Sequence, residues 1–247
     1  MRLTTFILFG LMAITATAQP SAKDIVTRAD AKMRGESSYQ EITMEIVRPK
    51  WQRTISMKVW SKGRDYALIK ITAPAKDKDA GYLKRKNELW NWRPSIDRMI
   101  KMSSSVMGQS WMDSDFTNDD MVRESSIVFD YSHRLLGEEK IREFNCYKIE
   151  LIPLENAAVV WGKVIVWIDK TGYNIVRSEN YDEAMELAQT SEGFDLKTFG
   201  DRSILTRTEL TPADKKGFKT IMVVDKAQFN QPIADTFFSQ QNLKTIR

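Results

Sequence analysis

The chain's single histidine, His133, stands beside Ser132, and a base next to a hydroxyl is the minimum equipment of a nucleophilic hydrolase. No Gly-x-Ser-x-Gly elbow accompanies the pair, and a lone histidine near a strand end ordinarily caps a turn or meets solvent. The paired carboxylates Glu138-Glu139 and Asp119-Asp120 lie among hydrophilic neighbours that would not raise a pKa for acid catalysis. Asp113, Asp115, Asp119 and Asp120 offer the hard oxygen ligands that calcium takes. Their spacing lacks the EF-hand glycine and closing glutamate, and an acidic first helical turn capped by Ser114 or Thr117 explains the same letters. Cys146 is the only cysteine, so no intramolecular disulfide can form, and with one histidine a zinc site would need a carboxylate-heavy ligand set. Phe144, Tyr147 and Ile149 around it predict a small buried apolar residue on a strand. These residues predict a protein without catalytic residues, metal or cofactor.

The residues that do stand out are soft and bulky. All seven tryptophans lie between Trp51 and Trp167, and Met99, Met102, Met107, Met112 and Met121 crowd one loop-like stretch. Unbranched methionine adapts its shape and tryptophan supplies large area with one polar handle, which suits a cavity for variable acyl chains. For any one of these residues core packing is the better explanation; their clustering is what points to binding.

Those side chains need a scaffold. Ile25, Val26, Ala29 and Met33 recur at helical spacing after Ser21, with Asp24 three positions on, and predict an amphipathic helix stopped by Gly35. The period then becomes two. Ile42, Met44 and Ile46 alternate with polar residues, and after Arg48-Pro49-Lys50 so do Ile55, Met57 and Val59, a hairpin with one apolar face. Trp60 falls on the opposite parity and faces the other side. Further strands are predicted at Tyr66 to Ile71, Tyr82 to Trp92, Ser126 to Tyr131, Phe144 to Ile152, Lys163 to Ile168, Tyr173 to Tyr181, Arg202 to Leu210 and Lys219 to Val224. Turns are predicted at Leu136-Gly137-Glu138, Asp169 to Gly172 and Thr211 to Gly217, and a loop with a short helix between Met99 and Met121. The fold class is mainly β with a few helices: about ten antiparallel strands in a single strongly curved sheet or incomplete barrel, its concave face covered by a helix.

Residues 1–18 do not belong to that fold. Arg2, the apolar run from Phe6 to Ile14 and Ala16-Thr17-Ala18 form a cleavable secretory signal, too short in its apolar part to anchor the mature chain. No cysteine follows the cleavage point to carry a lipid. The remaining 229 residues are expected to form one domain, 19–247, working in the periplasm. The formal charge of +4 is spread along the chain, which excludes a nucleic-acid surface.

Gly81-Tyr-Leu83, Glu88-Leu-Trp-Asn-Trp-Arg-Pro94, Arg98 and Ser114-Asp-Phe-Thr-Asn-Asp-Asp-Met121 resemble the outer membrane lipoprotein-sorting, LolA-like family, as do Lys163-Val-Ile-Val-Trp-Ile-Asp169 and Arg177-Ser-Glu-Asn-Tyr-Asp182. The resemblance implies a half-open β-barrel closed by an N-terminal helix and a short helical lid, whose interior carries acyl chains of a lipoprotein or lipid toward the outer membrane. It also implies a monomer that meets an inner-membrane exporter and an outer-membrane acceptor. Asp113 stands where members often have glycine, and no residue can be matched to the family's lid-locking arginine. Alternation, clustering and resemblance together predict a cavity drawing on Ile42, Met44, Ile46, Ile55, Met57 and Val59, with Trp90, Trp92, Met102, Met107 and Met121 at its mouth or lid. The competing reading is a non-catalytic adaptor domain of an envelope complex, whose apolar patch would be flat and exposed.

Overall fold

The computed structural model describes residues 19–86, 88–122 and 126–246, so the signal read at 1–18 lies outside the described residues. Helix α1 (Ala22–Arg34) begins where expected: Ser21 Oγ accepts from the Asp24 amide and bonds its carboxylate, a reciprocal cap. It is followed by β1 (Ser37–Arg48), β2 (Trp51–Lys62), β3 (Tyr66–Ala73), β4 (Gly81–Arg85), β5 (Glu88–Arg93) and β6 (Arg98–Lys101). After α2 (Asn118–Val122) come β7 (Tyr131–Ile141), β8 (Phe144–Pro153), β9 (Lys163–Asp169), β10 (Ile175–Tyr181), β11 (Leu187–Phe199), β12 (Arg202–Pro212), β13 (Lys219–Phe229) and a terminal α3 (Gln240–Thr245). All thirteen strands form one antiparallel sheet in the order β6-β5-β4-β3-β2-β1-β13-β12-β11-β10-β9-β8-β7. Among the described residues the end strands, β6 and β7, do not pair with one another, so the curved sheet is an open barrel.

Four expectations about the strands are corrected. Tyr82 to Trp92 is two strands, β4 and β5, turning at Lys86, which takes φ 55 without any glycine or proline to signal it. Ser126 to Tyr131 is mostly a turn, in which Ser126 Oγ accepts from the Val128 and Phe129 amides. The predicted turn at Leu136-Gly137-Glu138 lies inside β7, where Gly137 at φ 147 makes a bulge opposite β8. Strand β11 was not expected at all: it buries little more than Gln189 and Gly193, so its hydrophobic alternation is nearly silent.

One face of this sheet is packed continuously. Ile42, Met44, Ile46, Ile55, Met57, Ile69 and Ile71 form a cluster with Trp111 and Phe116 of the 102–117 loop. Ile25, Val26 and Ala29 of α1 pack on Ile149, Leu151, Val164, Val166 and Ile168. Since α1 touches β7, β9 and β12, strands well apart in the sheet order, this is the concave face. The opposite face carries its own cluster, Leu68, Leu83 and Trp92 beneath Phe238 and Leu243 of the C-terminal segment. Trp60 packs there, as its parity predicts.

Candidate functional site

The concave face is roofed by elements that do not belong to the sheet, α1, the loop 102–117 and α2, and the candidate site is the space beneath them. The loop is compact in itself. Trp111 and Phe116 bond through their backbones (2.8 Å), the Asn118 amide donates to the Gln109 carbonyl (2.9 Å), and the Asp119 amide to Met107 (3.0 Å). Thr117 caps α2: its Oγ1 accepts from the Asp120 amide while Asp120 Oδ2 accepts from the Thr117 amide and hydroxyl. The acidic run therefore starts a helix, as the capping alternative predicts.

The roof is fastened to the sheet by polar groups. Arg48, the last residue of β1, donates from Nη1 to Asp115 Oδ2 (2.9 Å) and from Nη2 to the Asp113 carbonyl (2.6 Å). Its guanidinium lies over the rings of Phe218 and Trp51, and Asp115 also accepts from Thr220 Oγ1 of β13 (2.7 Å). Both charged side chains are only 6% exposed. Arg53 pairs with Asp77 and reaches Asp113 (3.5 Å). At the other end, Arg64 from the β2–β3 turn pairs with Asp30 of α1 (2.7 Å) and donates to Ser126, while Arg202 of β12 donates to the last carbonyls of α1 at Ala31 and Lys32. Arg48 thus fastens the 102–117 loop to the sheet, and its only sequence signal is the Arg48-Pro49-Lys50 turn.

Of the predicted site residues, Ile42, Met44, Ile46, Ile55 and Met57 are buried in one concave cluster, with Val59 and Met121 packed against it. Met107 joins Leu89 and Val122, and Met102 borders them. Trp90 and Trp92 are placed elsewhere: strand alternation turns them to the convex face, under Phe238 and Leu243, so they are not at a mouth or lid on the concave side. Trp111, fully buried and packed at a tilt against the Tyr82 ring (5.6 Å between centroids), takes the central place instead, and its Nε1 has no acceptor among the described residues.

The interior is mostly filled. A cavity of about 80 Å³ remains between the sheet and the roof, lined by Ile42, Val59 and Ile69, by Met33 of α1, by Met121 and Val122 of α2, and by several polar side chains. Burial raises the Asp120 carboxyl's pKa there, opposed by its bonds to Thr117.

The residues first considered for catalysis lie apart. Ser132 Oγ donates to the Ile152 carbonyl (3.1 Å) and His133 Nε2 to the Ile127 carbonyl (2.7 Å), and adjacent strand residues point to opposite faces. Cys146 is buried, its thiol pushed up to about 11 by burial. Among the described residues no group of three His, Cys, Asp or Glu side chains is placed to hold a metal ion, and no helix is long and apolar enough to cross a membrane.

Three solved structures share this architecture. A DUF1329 family protein from Desulfovibrio piger is 23% identical with TM-score 0.81 over 90% of this chain and 97% of its own. A domain described as outer membrane lipoprotein-sorting, from Vibrio parahaemolyticus, is 21% identical with TM-score 0.81, covering 90% and 98%. A LolA superfamily protein from Nitrosomonas europaea is 22% identical with TM-score 0.77, covering 90% and 99%. A family model described only as an uncharacterized protein matches residues 63–245. The chain belongs to the family of that model, and its fold is that of the LolA-superfamily and lipoprotein-sorting structures. No curated protein matches the sequence. The stretch carrying the LolA-like letters, Gly81 to Met121, supplies β4, β5, β6 and α2 together with the loop that roofs the interior.

Proposed function

We propose that this LolA-like protein is a non-catalytic periplasmic carrier, one domain from residue 19 onward, that encloses acyl chains of a lipoprotein or lipid and moves them toward the outer membrane. Its partners would be a donor at the inner membrane and an acceptor at the outer one. The observation that carries this reading is the construction of the roof: an apolar concave face lies under α1 and the 102–122 segment, and that segment is fastened by Arg48 and Arg53 rather than by strand pairing with the sheet.

The closed interior holds about 80 Å³ of space. A chain of about sixteen carbons needs several times that, taking a water's roughly 30 Å³ as the scale of one methylene. Loading therefore requires the roof to lift and Trp111 and Phe116 to leave their seats. Transfer of such a chain from water is worth roughly 10 kcal/mol at about 0.8 kcal/mol per methylene, enough to offset opening the latches. The methionines along the roof, Met102, Met107, Met112 and Met121, can repack around a guest of variable length.

A photoreactive palmitic acid analogue tests this: labelling is expected at Ile42, Val59 and Met121, with unlabelled palmitate competing. Labelling confined to the convex face, or none, would refute the carrier reading.

A further inference from the structure

A second hollow lies at the end of the barrel that carries Arg48. The β1–β2, β10–β11 and β12–β13 turns meet the 102–117 loop there around an open cleft of about 700 Å³, a volume usual for small-molecule sites. Phe116 lines the cleft and is also buried in the concave cluster, so it stands between the cleft and the interior. Trp51, 45% exposed, and Phe218 give the cleft aromatic surface. Gln189 of β11 is in the lining and only 5% exposed, and its Nε2 has no acceptor among the described residues. A buried donor in that state costs about 1–3 kcal/mol, which an oxygen entering the cleft would recover.

The charges around the cleft do not favour an ion. Arg48 and Asp115 neutralise each other, and Asp113 has Arg53 at 3.5 Å. The other carboxylates of the lining, Asp182, Glu186 and Asp214, form no ion pair among the described residues, and Asp182 accepts from the Glu186 amide. Lys215 in the lining, with Lys50, Lys216 and Glu183 in the flanking turns, is exposed, so both signs surround the opening. An anion would meet the unpaired carboxylates, and a cation would leave Gln189 without an acceptor. A hydroxyl serves both, accepting from the amide and donating to a carboxylate. Several hydroxyls on one carbon frame serve them together, with the frame's C–H face laid on the Trp51 ring. We propose that this cleft binds a neutral polyhydroxyl head group, a glycerol or a sugar, whose acyl chain passes Phe116 into the interior. This rests on the carrier reading and narrows its cargo.

The test is binding of dodecyl maltoside, monolauroyl glycerol, dodecanol, laurate and dodecyltrimethylammonium, chains of matched length, each below its aggregation concentration. The mature protein is compared with its Gln189→Met and Glu186→Gln variants. At least one polyol is expected to bind about 10-fold or more tighter than dodecanol, the worth of one hydrogen bond to a charged group, and the order of maltoside and glyceride tells sugar from glycerol. Each variant should lose most of that preference while its dodecanol affinity stays unchanged, which also reports an intact interior. Equal binding of polyols and dodecanol, or tightest binding of laurate or the ammonium, overturns the head-group proposal and leaves the carrier intact. A preference surviving both substitutions overturns the site, and no binding of any of the five overturns the carrier reading as well.

Discussion

Replacing Arg48 by alanine removes the central fastening of the roof, and its effect can be worked from the contacts. The substitution leaves Asp115 buried with only the Thr220 hydroxyl and strips the Asp113 carbonyl of its guanidinium donor. Breaking a buried ion pair from one side costs about 3–5 kcal/mol, because the remaining charge is left without its partner. The pair joins the 102–117 loop to β1 and β13 at the edge of the interior, its other contacts being the rings of Trp51 and Phe218, so the cost should appear mainly as easier opening of the loop. At about 1.4 kcal/mol per factor of ten, 3 kcal/mol corresponds to roughly a 100-fold loss of hydrogen-exchange protection. That loss is expected at the amides of Trp111, Asp115 and Asn118, whose acceptors are Phe116 O, Thr220 Oγ1 and Gln109 O, and not at Ile149 in β8. Arg48→Met with Asp115→Asn completes a double-mutant cycle, with an expected coupling of about 1–3 kcal/mol. A loss of protection below about 5-fold, or an equal loss in β8, would refute the latch.

The remaining predictions concern the convex face and Cys146. Lys70 is 1% exposed and donates to the Leu243 and Lys244 carbonyls, fixing α3; burial lowers its pKa below the ordinary 10.5, against the pull of Asp79. The unfolded chain then holds the proton longer, so this lysine's contribution to stability rises with pH from its lowered folded value up to 10.5, and urea unfolding of Lys70→Met should lack that rise relative to the parent. Gly81→Ala would drive a methyl into the Ile69 carbonyl and the Leu243 side chain, so a loss of about 1–3 kcal/mol and release of α3 are expected by urea unfolding and limited proteolysis. Cys146, with its thiol pushed up to about 11 and buried, should resist a thiol reagent at neutral pH until the protein unfolds.

Period-two alternation located the middles of β1 and β2 and set their parity, although the strands run several residues further at either end, and the same parity foretold that Trp60 faces outward. Alternation failed where burial is two-sided or nearly absent. Strand β9 buries Ile165 and Trp167 on one face and Val164, Val166 and Ile168 on the other, so its sequence gives a strand but no direction. Polar β11 is held by ladders on both sides and gives no hydrophobic signal. In the candidate site, the aliphatic and methionine residues of the concave cluster were legible from composition and spacing. Trp90 and Trp92 were not, because the expected single strand from Tyr82 to Trp92 hid the hairpin that sets β5's parity, and because α3, which covers them, lies about 150 residues away in sequence. The cations around the interior were equally hidden: Arg34, Arg48, Arg64 and Lys84 are ordinary surface letters until the sheet curves and brings them to its two ends.

The central claim is that the space beneath the roof holds acyl chains, and it is tested most directly by native mass spectrometry of the mature protein purified from its own envelope without detergent, followed by extraction and identification of whatever is bound. The account predicts a one-to-one adduct whose extracted mass is an acyl-bearing molecule. A clean apo mass that stays unchanged after incubation with hexadecyl phosphate, palmitate and an acylated lipopeptide would contradict it.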